Sequence, residues 1–401
     1  HPRDEHRVRY GMSQGGNELA IIGVGQTPYR RRHEGSTSEL VGAAVREALA
    51  QARVSAHDVD IVVTGFAPDG LAGENCPDKR FMAAAGAIGR WSMRINTGGT
   101  TGIAAAYAGM DLLEAGRGDI AVIVGVERMA QARSVPAVFN SIFDPIYERD
   151  TGLSTISMCA LRASRMMSLW GYDRELWAGV AERNFAHAAR NPLAQIRQPY
   201  SQEEVLASRM LSWPIAQLDA CPVSEGVCAI VVAREQVVTG HTRARVTGRA
   251  STSDTYNMGD RFNRPVGDLV EMVTLKRSAR RAYDLAGLRS GWDADVLEIH
   301  APFNSAETMA YAPLGLCTAP DGPDLVRSGF GGWGTDTVIN PSGGPQAANP
   351  VGATALIRLA ECAQQVMGTA GERQVAGARV AVATGQGGAN QFSTCTVVTA
   401  A

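Results

Sequence analysis

His300 closes the run DVLEIH and opens APFNSAE. A histidine at the end of an apolar, strand-like run, just ahead of a helix start, is placed to act as a general acid or base, because its pKa lies near working pH. Asn349, in NPSGGPQAANPVGATAL, precedes Pro350 where a second helix should begin. Its amide can donate to a carbonyl oxygen or position a water. The turn GQGG at Gly385–Gly388 can offer backbone N–H groups, those of Gly387 and Gly388 among them, to an oxyanion. A fourth stretch, INTGGTTGIAAAYAG from Ile95 to Gly109, leads a tight glycine loop into a small-residue helix. It presents Gly98-Gly99, then Thr100 and Thr101, and no Cys, Ser, His, Asp or Glu. Plainer roles exist for each: a core histidine bonded to backbone, an asparagine N-cap, an ordinary glycine turn.

These residues need elements to hold them. LAIIGVGQTP from Leu19 reads as a strand, and SELVGAAVREALAQARV as a helix capped by Ser38. VDIVVTG is the continuous apolar run of a buried parallel strand. Strand and helix then alternate, which implies βαβ units and a parallel sheet covered on both faces. The pattern occurs twice. With Asp60 set on Asp295, Asp58 falls on Asp293, Arg46 on Arg281 and Ala44 on Ala279. INTGG at Ile95 likewise matches INPSGG at Ile339. The expected organisation is a tail (1–18), a first half (19–252) with an inserted helical region at about 128–218, and a second half (253–401). The polar stretch SDTYNMGDRFNRP is expected to join the halves. Met12 reads as a natural start, with an expression remnant ahead of it. In duplicated α/β sheets ligands bind where strand C-termini meet helix N-termini. That rule gathers Asn96–Gly102, His300–Phe303, Asn340–Gly352 and Gly385–Gly388.

Bulk properties exclude several classes. The 401 residues are 45% hydrophobic and 19% charged, with a formal net charge of −2. No basic stripe interleaves with aromatics, which argues against nucleic acid. No apolar run approaches the roughly 20 residues of a membrane span. The 7 cysteines lack any CxxC pair, which points to reduced thiols in a cytoplasm and to no metal site. GVGQT is an incomplete dinucleotide fingerprint, and no suitable acidic residue follows the second strand.

Taken together, the segments resemble one family. GGTTGIAAAYAGMDLLEAGRGDIAVIVGVERM is similar to the active-site loop and helix of thiolases. NPSGGPQAANPVGATALIRLAE resembles their NxxGGxxxxGHPxGATG motif, and GQGG their closing glycine turn. HAPF resembles the HDxF box of the sterol-carrier-protein branch. ERNFAHAARNPLAQ, followed by SWPIAQLDACPVSEGVCAIVVA, resembles that branch's loop and strand. The likeness runs from about Leu19 to the C-terminus. It implies a five-layered αβαβα thiolase fold of two similar halves, a homodimer, and acyl-CoA thioesters as substrates. Coenzyme A would arrive as part of the substrate, with no tightly bound cofactor.

Carried over position by position, the family's machinery is incomplete. The nucleophilic Cys position falls on Gly99 and the His of GHP on Asn349. The closing turn lacks its acid/base residue, His300 survives, and Ala301 replaces the Asp beside it. A glycine cannot carry an acyl group. The expected chemistry is therefore retro-aldol cleavage of a β-hydroxyacyl-CoA, as in steroid or lipid side-chain breakdown by thiolase-like lipid-transfer proteins that work with a small OB-fold partner. His300 would be the base. Asn349 and the backbone of Gly99, Gly387 and Gly388 would hold the enolate oxygen. Thr100, Thr101, Asn340 and Phe303 would contact substrate. The aldolases of this kind resemble one another in using tyrosines where this chain has His300 and Asn349. Two alternatives stay open: a non-catalytic acyl-CoA or lipid-binding accessory subunit, and an acyltransferase of the acetyl-CoA acetyltransferase type.

Overall fold

A computed structural model of the chain describes residues 18–238, 240–262 and 268–401. Nearly all of the expected tail 1–18, and the end of the expected joining stretch, lie outside them. Ten strands form the main sheet: β1 Leu19–Gln26, β2 Ile61–Phe66, β3 Trp91–Ile95, β4 Ile120–Arg128, β5 Glu225–Arg234, β6 Ala244–Ser253, β7 Val296–Glu298, β8 Val338–Ile339, β9 Val380–Gly387 and β10 Phe392–Ala400. Their order is β8-β7-β9-β10-β6-β1-β5-β4-β2-β3.

Outward from the centre, the two sides repeat one pattern. β1 pairs antiparallel with β5, β5 antiparallel with β4, and β4, β2 and β3 run parallel. On the other side β6, β10 and β9 are antiparallel neighbours, and β9, β7 and β8 run parallel. The purely parallel sheet expected from alternation is therefore mixed. Strand β5 returns only after the long helical insertion, and β10 follows β9 through a hairpin, so neither is a βαβ crossover. Ala244–Ser253, expected to close the first half, pairs along its length with β10 and touches β1 at only Ala20 and Ile21. It is the inner strand of the second half, so residues 254–262 follow the first strand of that half.

Four helices complete five layers: α1 Thr37–Ala52, α2 Thr101–Glu114, α5 Val273–Ala286 and α6 Val351–Met367. The inserted region supplies α3 Thr155–Trp170 and α4 Arg174–Ala188 between α2 and α5. α1 packs on β1 and β5, α5 on β6 and β10, and α2 with α6 fills the space between the halves. Side-chain alternation along each strand serves both faces. Val62, Val122 and Val231 face α1, whereas Ile61, Ile123 and Ile230 face the central helices. In the second half Val397 and Val382 share a cluster with α5, and Val398 and Ala383 face the centre. This double burial is why VDIVVTG has no polar face. The N-cap of α1 is Ser36, not Ser38. The Ser36 hydroxyl accepts from Glu39 N and Glu39 reciprocates, closing a capping box.

The central helix α6 is pinned by charge as well as packing. Arg358 Nη1 lies 2.5 Å from Glu298 Oε2 on β7 and donates to Ser342 Oγ at 2.7 Å. Ser342 Oγ in turn donates to Glu298 Oε2 at 2.9 Å. All three residues are buried. Arg358→Met should therefore destabilise the fold by about 3–5 kcal/mol, the effect of stranding a buried carboxylate. Denaturant titration would show it as a lower midpoint. An unchanged midpoint would mean that the pair contributes nothing to folding.

Candidate active site

The C-terminal ends of β9 and β7, the glycine loop ahead of α2 and the start of α6 converge on one cavity of ≈ 330 Å³. Gly98, Gly99, His300, Phe303, Asn349, Gln386, Gly387 and Gly388 all line it. All four segments expected to meet contribute lining residues, though Thr100 and Thr101 of the first do not reach the cavity. From the third, Asn349 arrives and Asn340 does not.

The loop and the closing turn touch backbone to backbone. A Cβ built on Gly99 would sit 2.1 Å from the Gln386 carbonyl oxygen and 3.1 Å from His300 Cε1. One built on Gly387 would lie 2.9 Å from Gly99 N and 3.0 Å from Thr100 N. The site where a nucleophile's Cβ would stand is thus filled by the Gln386 carbonyl. Only glycine permits that approach.

His300 is held by the same turn. Gln386 N donates to His300 Nδ1 at 3.2 Å, and His300 N donates to Thr384 Oγ1 at 2.9 Å. A ring nitrogen that accepts carries no proton, so the neutral imidazole bears its hydrogen on Nε2. Burial and then the Arg358 charge push the imidazole down to about 3, which keeps it neutral. With Nδ1 accepting from Gln386, the neutral ring carries its hydrogen on Nε2, a donor suited to an oxygen that gains negative charge.

Asn349 is not the helix cap. α6 starts at Val351, and the Asn349 side chain faces the cavity wall. Its Oδ1 accepts from Thr354 Oγ1 at 2.7 Å, and its Nδ2 lies 3.0 Å from Cys221 Sγ. Its backbone N donates to Ser224 Oγ. Cys221 is the residue that sequence reading passed over. It lines the cavity, half-buried, and its N donates to the Pro302 carbonyl at 2.8 Å, two residues beyond His300. Burial pushes its thiol up to about 12, against the lowering effect of the Asn349 hydrogen bond. The signal was present in DACPVSEG, a Cys-Pro turn feeding a buried strand, but only the fold sets it beside Asn349.

The other expected contacts resolve differently. Phe303 lines the cavity. Thr100 and Thr101 do not; Thr100 Oγ1 donates to Thr97 O at 2.8 Å and Thr101 Oγ1 accepts from Thr97 N at 2.9 Å, so both hydroxyls are used in shaping the loop. Asn340 is fully buried with φ 49°, a left-handed conformation that asparagine tolerates. Its Oδ1 accepts from Ile299 N and its Nδ2 donates to Glu307. Arg183, Asn184 and Tyr311 bond the same carboxylate, which docks α4 against the second half. Arg128 pairs with Glu225 and Arg165 with Asp268, while Arg162 reaches the cavity. Among the described residues no cluster of His, Cys, Asp and Glu could hold a metal ion. None of their helices is long and apolar enough to cross a membrane.

Comparison with known proteins agrees with this fold. Residues 19–203 match the family model described as thiolase, N-terminal domain, and residues 262–400 the one described as thiolase C-terminal domain-like. Sterol carrier protein 2 of Gallus gallus is 30% identical over 379 residues, covering 90% of this chain and 68% of that protein. An acetyl-CoA acetyltransferase of Methanothermobacter thermautotrophicus is 29% identical over 375 residues, covering 92% and 96%. Among solved structures, the Ltp2-ChsH2(DUF35) aldolase superposes with a TM-score of 0.82 at 21% identity, covering 96% of this chain and 98% of that one. At that identity the match speaks for the fold.

Restoring a cysteine should not restore a nucleophile here. Gly99→Cys is expected to destabilise the protein by about 1–3 kcal/mol through overpacking against Gln386, with no acyl adduct on incubation with an acyl-CoA. A variant of wild-type melting temperature that becomes acylated would contradict the steric argument.

Proposed function

This chain belongs to the thiolase family, in the branch of sterol carrier protein 2 and the lipid-transfer proteins, and from that premise we propose that it cleaves a carbon–carbon bond in a β-hydroxyacyl-CoA by a retro-aldol step, with no acyl-enzyme. The observation that carries the reading is the Gln386 carbonyl standing where a nucleophile's Cβ would be. The rest of the site suits an enolate. His300 Nε2–H, with the backbone amides around Gly99 and Gly388, is a donor set for the thioester oxygen. The acyl group lies in a cavity lined by Val135, Phe139, Ile156, Met166 and Met309.

The proton has a route through Cys221. As its thiolate, Sγ takes the β-hydroxyl proton while the Cα–Cβ bond breaks; a carbonyl compound leaves and the electron pair passes into the thioester enolate. The thiol then returns that proton to the enolate carbon, and the thiolate is regenerated. The Asn349 amide, already on Sγ, stabilises the thiolate form. The two-component name of the aldolase supports a heteromer of this chain with a second protein; we take that partner to be a small OB-fold protein and the core to be a homodimer. The cysteines are all free, which fits a reducing cytoplasm.

Two measurements test the reading. The chain, alone and with an OB-fold protein encoded beside it, is incubated with β-hydroxyacyl-CoA esters, and the release of an aldehyde or ketone with a shorter acyl-CoA is followed. Cys221→Ser should lower kcat by about 10²-fold or more, in the range of lost acid–base catalysis. Release of no product by either preparation rules out the lyase, and an acyl adduct on Cys221 in the intact mass would assign acyl transfer instead. Second, because the thiol sits near 12 and only its thiolate is the base, kcat should climb with pH from 6 to 9 without a plateau. His300, near 3, contributes no step in that window. A plateau near neutrality would move the base elsewhere.

A further inference from the structure

Arg162, on α3, is a charged side chain in a cavity whose lining holds no Asp or Glu. It is 4% exposed. The buried guanidinium groups of Arg128, Arg358 and Arg373 each face a carboxylate, from Glu225, Glu298 and Glu361, whereas Arg261, as buried as Arg162, donates to the Ala389 and Thr255 carbonyls. Arg162 faces none among the described residues. Its Nη2 donates to the Ala389 carbonyl at 2.6 Å, and its Nε is buried without a partner. Nearby, Asn390 Nδ2 is also buried without a partner and lines the same cavity. Arg261 donates to the same Ala389 oxygen at 2.8 Å. Burial, reinforced by Arg261, depresses the guanidinium's affinity for its proton.

A buried, uncompensated cation is strongly destabilising unless a ligand supplies the counter-charge. Phosphates of coenzyme A are poor candidates, since Arg162 lies among apolar acyl-facing side chains such as Ile156 and Met166. We infer that Arg162, with the Asn390 amide beside it, binds a carboxylate carried by the acyl group itself, so that the substrate is a dicarboxylic acyl-CoA. The inference rests on the acyl-CoA reading above and narrows its substrate class. Arg162 bonds Ala389, two residues beyond Gly387 of the glycine cradle, so a short dicarboxylic acyl chain is the one to test.

The test is a binding comparison that needs no turnover. Glutaryl-CoA and pentanoyl-CoA have acyl chains of equal length and differ in the terminal carboxylate. Titration calorimetry with the full chain should give glutaryl-CoA at least about tenfold tighter, the scale of one charge-assisted hydrogen-bonded pair. Arg162→Gln should erase the preference while pentanoyl-CoA affinity stays within about threefold, and Arg162→Lys should keep part of it. Equal affinities in the wild type, or tighter pentanoyl-CoA, overturn the inference whether or not the variants fold. So does a preference that survives Arg162→Gln. If glutaryl-CoA is preferred but 3-hydroxyglutaryl-CoA is not cleaved, the carboxylate site stands and the retro-aldol reading falls. If neither ester binds, both fall.

Discussion

The contact between Gly99 and the Gln386 carbonyl governs the rest of the site. It joins the loop ahead of α2, from the first half, to the end of β9, from the second. The same Gln386 residue gives its N–H to His300 Nδ1. One peptide group therefore fills the place of a nucleophile with its oxygen side and fixes the tautomer of the histidine with its nitrogen side. A side chain at position 99 would have to displace both. The bare backbone at position 99 and the Nε2–H tautomer of His300 are then two consequences of one backbone approach.

Keeping two turns that close requires a rigid frame behind them. α6 supplies it by packing against strands of both halves, and Gly102 lets it come near α2: a Cβ there would fall 2.6 Å from Leu356 N. The buried Arg358–Glu298–Ser342 group ties α6 to β7, the strand that ends at the site. Glu127 accepts from Gly352 N at 3.0 Å, so the first turn of α6 has a buried carboxyl partner from β4. On the cavity wall, Arg162 Nε and Asn390 Nδ2 are buried without a partner, and groups of that kind can be completed by a ligand.

The family and the fold were legible in the sequence because they rest on local signals: the period of apolar residues, the glycine turns and the repeated Asp spacing. The convergence of Gly99, His300, Asn349 and Gly387 followed from a rule about where strand ends lie. Roles within that convergence were harder. Asn340 and Asn349 stand in similar glycine-rich text, yet one knots Glu307 to Ile299 and the other faces the cavity. Thr100 and Thr101 are beside the critical glycine, and their hydroxyls turn inward to the loop.

Cys221 and Arg162 show the limit most clearly. Both lie in the excursion between β4 and β5, more than 70 residues from His300. Composition and spacing say nothing of where that excursion folds back. The sequence alone determined which residues were available: a glycine where a thiol would be needed, one surviving histidine, no aspartate beside it. The tertiary structure decided what each could do. Protonation state, tautomer and charge compensation depend on what is packed within a few ångströms, and those neighbours come from segments distant along the chain.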